Sequence, residues 1–175
     1  MAGSLIKIDE EIVTSAVASV TLGGTDWDSS YDVYMVRFSN VLVDTDGVDF
    51  QVRVTTSGSP QTDANYDRAT KLFRPDTTFG NVYDTNSTFF EIEGGAGNAT
   101  GEQISGIVYC FNFNNASEYS YCTVEAVDIN LNGLLTGQQG GFVKTTVEAN
   151  DGLHFYVSSG NISSGAEFVL YGLKK

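Results

Sequence analysis

Asp44-Thr45-Asp46-Gly47-Val48-Asp49-Phe50-Gln51-Val52-Arg53-Val54-Thr55 is the stretch whose reading decides the fold. After the Asp-Gly turn, Val48, Phe50, Val52 and Val54 fall on one side of an extended chain. Asp49, Gln51, Arg53 and Thr55 fall on the other. This period-2 alternation is the signature of a β-strand with one buried face, and a strand launched from an Asp-Gly turn predicts a hairpin. Upstream, Tyr31-Asp32-Val33-Tyr34-Met35-Val36-Arg37-Phe38 is apolar on both faces, as in a central strand covered from two sides. Further upstream, Leu5 to Leu22 reads as two short strands with a kink, or an N-terminal arm over residues 1–22. Downstream, the pattern dissolves between Thr56 and Val82, which predicts a long loop over 56–82 with one helical turn around Asp67 to Leu72.

Alternation returns at Thr88 to Ile92, Glu102 to Phe113, Tyr119 to Ile129 and Gly140 to Glu148, then at Leu153 to Val157 and Phe168 to Leu173. Asn114-Asn115-Ala116-Ser117 closes one predicted hairpin and Asn150-Asp151-Gly152 another. Many short strands, turn signals between them and no amphipathic helix predict one antiparallel β-sandwich domain over 1–175, of jelly-roll type. Composition agrees. Gly is abundant (19), Pro scarce (2), aromatics reach 12%, and the 41% hydrophobic content is enough for a core.

Nine Lys+Arg against 22 Asp+Glu give a formal net charge of -13. Such a field repels phosphate backbones and anionic bilayers, which argues against nucleic-acid and membrane partners. The N-terminus has no basic and apolar leader pattern and no segment has the length of a membrane-spanning helix, so synthesis in a cytoplasm without general secretion is expected.

Motifs for chemistry are sparse, and the chain reads as a binding or assembly module rather than an enzyme. His154, the only histidine, alternates onto the polar side of its strand with no nucleophile elbow nearby. No phosphate loop or dinucleotide fingerprint occurs, and no cofactor or metal is expected. Asp44, Asp46 and Asp49 resemble the start of a calcium loop, but the Gly and the closing Glu are misplaced. Asp26-Trp27-Asp28 holds the only Trp between carboxylates; it reads as a sugar-stacking trio or as an aromatic capping the core or an interface. A hairpin centred near Ala116 sets Cys110 opposite Cys122, either as a cross-strand disulfide or as two buried thiols. Arg68, Lys71 and Arg74 read as basic docking spots in the long loop, or as solvated loop charges.

Several stretches carry a family likeness. They are Ser4-Leu5-Ile6-Lys7-Ile8-Asp9, Ala18-Ser19-Val20, Tyr31-Asp32-Val33-Tyr34, Arg53-Val54-Thr55-Thr56-Ser57-Gly58 and Ala64-Asn65-Tyr66-Asp67. The close, Gly152-Leu153-His154-Phe155-Tyr156-Val157-Ser158-Ser159-Gly160-Asn161-Ile162 with Leu170-Tyr171-Gly172-Leu173-Lys174, belongs with them. Together they resemble small virion proteins of tailed marine bacteriophages. The resemblance rests on strand and turn motifs and transfers no functional residues. It implies a β-sandwich at the virion surface, made in the host cytoplasm, serving as a capsid decoration (cement) protein or as a tail-fibre or knob component. The expectation is a decoration protein that stabilises the head as a homo-oligomer, a trimer being one arrangement, with the major capsid or tail protein as partner. The alternative is a carbohydrate-binding adhesin module, with a glycan held at Asp26, Trp27 and Asp28.

Overall fold

The computed structural model describes residues 4–76 and 79–174, without the side chain of Lys174. The strands are β1 (Ser4–Ile12), β2 (Ser19–Gly23), β3 (Val33–Val41), β4 (Val48–Thr56), β5 (Ser59–Pro60), β6 (Tyr66–Phe73) and β7 (Gly80–Ser87). They continue with β8 (Phe90–Ala96), β9 (Ile104–Phe111), β10 (Ser120–Ile129), β11 (Leu135–Lys144), β12 (Gly152–Val157) and β13 (Glu167–Lys174). A single 3-10 turn, Gly24–Asp26, is the only helical element among the described residues. The strands form two antiparallel sheets packed as a β-sandwich. One is eight-stranded in the order β1-β13-β3-β9-β10-β11-β6-β7; the other is five-stranded, β2-β12-β4-β5, with β8 also paired to β4.

The sandwich agrees with the alternation in the sequence; the jelly-roll layout is not established. The strands divide eight to five, and β9, β10 and β11 lie side by side in chain order. Two predicted hairpins are corrected. β3 pairs with β13 and β9, whereas β4 pairs with β12, β5 and β8, so the Asp44–Gly47 turn carries the chain from one sheet to the other. The turn at Asn150-Asp151-Gly152 likewise leads from β11 in the large sheet to β12 in the small one. Turn residues dictate a reversal, but the partner is chosen by which apolar face must be covered. The β9–β10 hairpin forms in the predicted register.

The long loop over 56–82 is also corrected, and so is its helical turn: the segment contains β5, β6 and the start of β7. In β6 the inward positions are Tyr66, Arg68 and Thr70, with Asp67, Ala69 and Lys71 facing out. Two of those three inward residues are polar, so the hydrophobic alternation that announces a strand is missing.

The centre of the sandwich is aromatic. Phe38, Phe50, Phe155 and Phe168 are all fully buried, with ring centroids 5.2 to 6.5 Å apart. Such pairs add specific edge and offset contacts to the burial of area. Gly106 of β9 makes room for them, since a Cβ there would come within 2.5 Å of Phe38 Cζ. One part of the interior is polar instead: Thr70, Glu93, Asp128, Thr136 and Gln138 are all buried. Thr70 donates to Gln138 Oε1 at 3.0 Å, and Thr136 donates to Asp128.

Candidate interaction face

The inner face of the eight-stranded sheet carries Val36, Phe38, Val108, Cys110, Cys122, Val124, Phe168 and Leu170, all buried. Side chains alternate, so the intervening residues occupy the outer face. One row across it, read from the register, is Tyr171, Met35, Tyr109, Thr123, Gly141, Ala69 and Tyr83. A neighbouring row runs through Val33, Phe111, Tyr121, Val143 and Asp67. A third holds Val127, Gly137 and Phe73. Tyr109, Tyr121, Val127, Leu135 and Tyr83 are exposed large apolar or aromatic side chains, Tyr83 at 76%.

β11 presents Gly137 and Gly141 outward, and with no side chain there the face is furrowed between β10 and β6. A depression of about 410 Å³ lies over Gly141, walled by Phe111, Tyr121 and Val143. Another of about 350 Å³ lies over Gly137, walled by Phe73, Val127 and Leu135. The charges on this face nearly balance: Lys7, Arg37 and Lys71 stand against Glu10, Asp67, Glu125 and Glu167. Several are paired among themselves, as Arg37 with Glu167 at 2.8 Å and Lys7 with Glu10 at 3.0 Å. Apolar surfaces rimmed by polar groups are, in general, places where proteins associate.

The residues singled out from sequence lie elsewhere or play other parts. Trp27 is 3% exposed and sandwiched between Tyr34 (centroids 4.2 Å apart) and Phe113 (5.0 Å). Both ring faces are occupied, which rules out stacking on a sugar and makes Trp27 a core residue. Asp26 and Asp28 are exposed beside it. Asp28 accepts from the Ser30 backbone N–H at 2.7 Å, and that bond holds its carboxyl below the usual range. Its carbonyl accepts from Tyr34 and Asn114.

Arg68, Lys71 and Arg74 form no common docking spot. Arg68 points inward and is buried, donating to Asp84 Oδ2 at 2.5 Å, the Glu91 carbonyl at 2.7 Å and Glu91 Oε1 at 3.2 Å. It ties β6 to β7 and β8. Lys71 faces out and donates to Asn81 across β7. Arg74 is half-buried beyond the end of β6. Cys110 and Cys122 are paired directly across β9 and β10 as buried free thiols with sulfurs 3.6 Å apart. Burial and the facing Cys110 push the Cys122 thiol up. His154 is half-buried on the outer face of the small sheet, with Nδ1 2.7 Å from Thr21 Oγ1. Burial, then neighbouring Arg53, holds its pKa down. Asp44 accepts from the Asn161 backbone and side chain at 2.8 and 2.9 Å, a loop brace; among the described residues no cluster of three His, Cys, Asp or Glu could hold a metal ion.

Sequence reasoning missed the buried acids. Glu93 is 2% exposed, and its carboxyl is pushed up to about 8, first by burial and then by Asp128. Asp128 is raised to about 6 by burial. The signal was available for Asp128: once Cys122, Val124 and Ala126 are taken as inward, the same alternation places Asp128 inward. No signal marked Glu93, because β8 carries a register shift where the chain passes Phe50 and Gln51. Compared with known families and with curated proteins, the sequence matches no family model and no curated protein.

Proposed function

We propose that this chain is a structural protein of a tailed-bacteriophage particle, a capsid decoration subunit that assembles with copies of itself through the outer face of its eight-stranded sheet. The observation that carries the reading is that β9 is apolar on both sides, with Ile107, Tyr109 and Phe111 on the outer one, while the chain leaves that outer side partly uncovered. Tyr109 remains 39% exposed and Tyr121, on β10, 46%. A second copy is the occupant that suits the charge. A chain of net charge -13 repels itself over most of its surface, yet here cations and carboxylates nearly balance. Lys71 and Glu125, separated by Gln139, are arranged to pair with their opposites on a two-fold-related copy. Association of this kind is adhesive and needs no catalytic group. Many copies held together multiply weak contacts into a stable lattice on the head.

The virion placement rests on the resemblance of the strand and turn motifs and is tested on particles. Antibody raised against the purified chain should label the heads of the phage that encodes it, seen by negative-stain electron microscopy. Label confined to the tail replaces decoration with a fibre or knob role. Particles that carry the protein nowhere overturn the virion reading.

A further inference from the structure

Where the β2–β3 connection meets the turn after β9, the chain forms a pocket of about 250 Å³. Its lining includes Ser29, Tyr31, Asp32, Asn112, Phe113 and Asn115. We propose that this pocket is a binding site for a single neutral sugar ring.

Size is the first argument. The volume falls below the roughly 300 Å³ at which sites for drug-sized ligands begin, and it suits one small ring. Rigidity is the second. Trp27 is clamped between Tyr34 and Phe113, two of the three rings that line the pocket. Asn114 donates to the Asp28 carbonyl and lies 3.4 Å from the Tyr34 hydroxyl, so the two loops are tied together before any ligand arrives. A wall set in advance spares the ordering cost of binding.

The third argument is chemical. Among the described residues the side chains of Asn112 and Ser29 make no hydrogen bond. Asn115 uses Oδ1 on the Ser117 backbone at 2.9 Å, which leaves its amide Nδ2 to donate. Asn112 has φ 63, a left-handed backbone that asparagine tolerates and that turns its side chain out of the regular strand alternation. Amides and hydroxyls that donate and accept at close range match the adjacent hydroxyls of a sugar. The lining holds no Lys or Arg and includes Asp32, which disfavours phosphates and acidic sugars. The indole N–H of Trp27, buried between Tyr34 and Phe113, has no hydrogen-bond partner among the described residues, unusual for a buried donor.

Trp27 is the only tryptophan and touches two of the rings that line the pocket, so its fluorescence reports occupancy. The purified chain is titrated with glucose, galactose, mannose and N-acetylglucosamine, and with N-acetylneuraminic acid and glucosamine as anionic and cationic probes. At least one neutral sugar should give a saturable change with a dissociation constant of about a millimolar, and the anionic probe none. Asn112→Gly with Ser29→Ala should weaken that binding by at least roughly tenfold, the loss of one or two hydrogen bonds, with the melting temperature nearly unchanged, since glycine accepts the left-handed backbone at 112. No saturable change with any neutral sugar, by fluorescence and by NMR shift perturbation, overturns the site. So does binding that the double variant leaves intact, or a preference for glucosamine or the acidic sugar. Failure here leaves assembly untouched, because that reading rests on other residues, Tyr109, Tyr121 and Val127.

Discussion

The two faces of the eight-stranded sheet are built from similar side chains and meet different fates. Inside, Val36, Phe38, Val108 and Phe168 disappear beneath the five-stranded sheet. Outside, Tyr109, Tyr121 and Val127 lie on the same sheet and stay exposed. The outer face of the small sheet makes the difference sharper. There Arg53 lies 4.6 Å from the centre of the Tyr156 ring and donates to the Thr88 carbonyl at 3.0 Å, while His154 and Thr21 are hydrogen-bonded. Most polar groups named on this face are paired internally, the buried Tyr156 hydroxyl being the exception, and such a face has less reason to dock. An apolar face on a strongly acidic chain has more. Stability should therefore respond to changes inside the sandwich, and assembly to changes on one outer face.

The largest effect expected inside comes from protons. Glu93 has a folded pKa of about 8 against an ordinary 4.5, so the folded state holds a proton the unfolded chain has released. Its favourable contribution is complete below pH 4.5 and is lost as pH rises to about 8. The upper bound is about 5 kcal/mol. Asp128, raised to about 6, acts in the same direction over a lower window. Urea unfolding should show stability falling from pH 5 to pH 8, and Glu93→Gln should flatten that fall. An unchanged slope in the variant would remove Glu93 as its source.

Next is Phe50→Ala, which opens a cavity among Phe38, Phe155 and Phe168 and should cost about 4 kcal/mol by the same measurement. A loss below about 1 kcal/mol would mean that the aromatic centre repacks and is not the keystone described here. The smallest effect belongs to the polar outer face. Arg53→Ala removes a cation–π contact and one hydrogen bond, about 1 kcal/mol of stability, and should leave the assembly state unaltered in light scattering. Dissociation on this change would put the interface on the wrong sheet.

How far the sequence anticipates this structure depends on whether polar residues point inward. Strands whose inward positions are mostly apolar, such as β4 and β10, are legible by alternation alone. β6 is not, since Arg68 and Thr70 occupy positions where alternation expects apolar residues, and their partners Asp84, Glu91 and Gln138 come from other strands. Facing cysteines follow from the symmetry of one hairpin about Ala116. The Asp44–Gly47 turn misleads because turn chemistry is local, whereas the choice between sheets depends on the whole core. Trp27 is legible in part: its acidic neighbours leave a sugar-stacking reading open beside that of an aromatic capping the core, and Tyr34 and Phe113, distant in sequence, bury it. The apolar outer face could be suspected from strands apolar on both sides, but only the sheet order reveals that β3, β9 and β10 are neighbours and that β11 adds its glycine furrow.

The central claim, that the outer face of the eight-stranded sheet is covered by a second copy, is tested most directly by sedimentation equilibrium of the purified chain beside Tyr121→Arg and Val127→Arg. Each places a bulky cation in the exposed apolar band without entering the core. Wild type should sediment as an oligomer at tens of micromolar, about the range in which interfaces of ordinary size associate, and each variant should weaken association by about 100-fold or more with unfolding stability changed by less than about 1 kcal/mol. A wild-type chain that remains monomeric, or variants that assemble as well as wild type, would contradict the account.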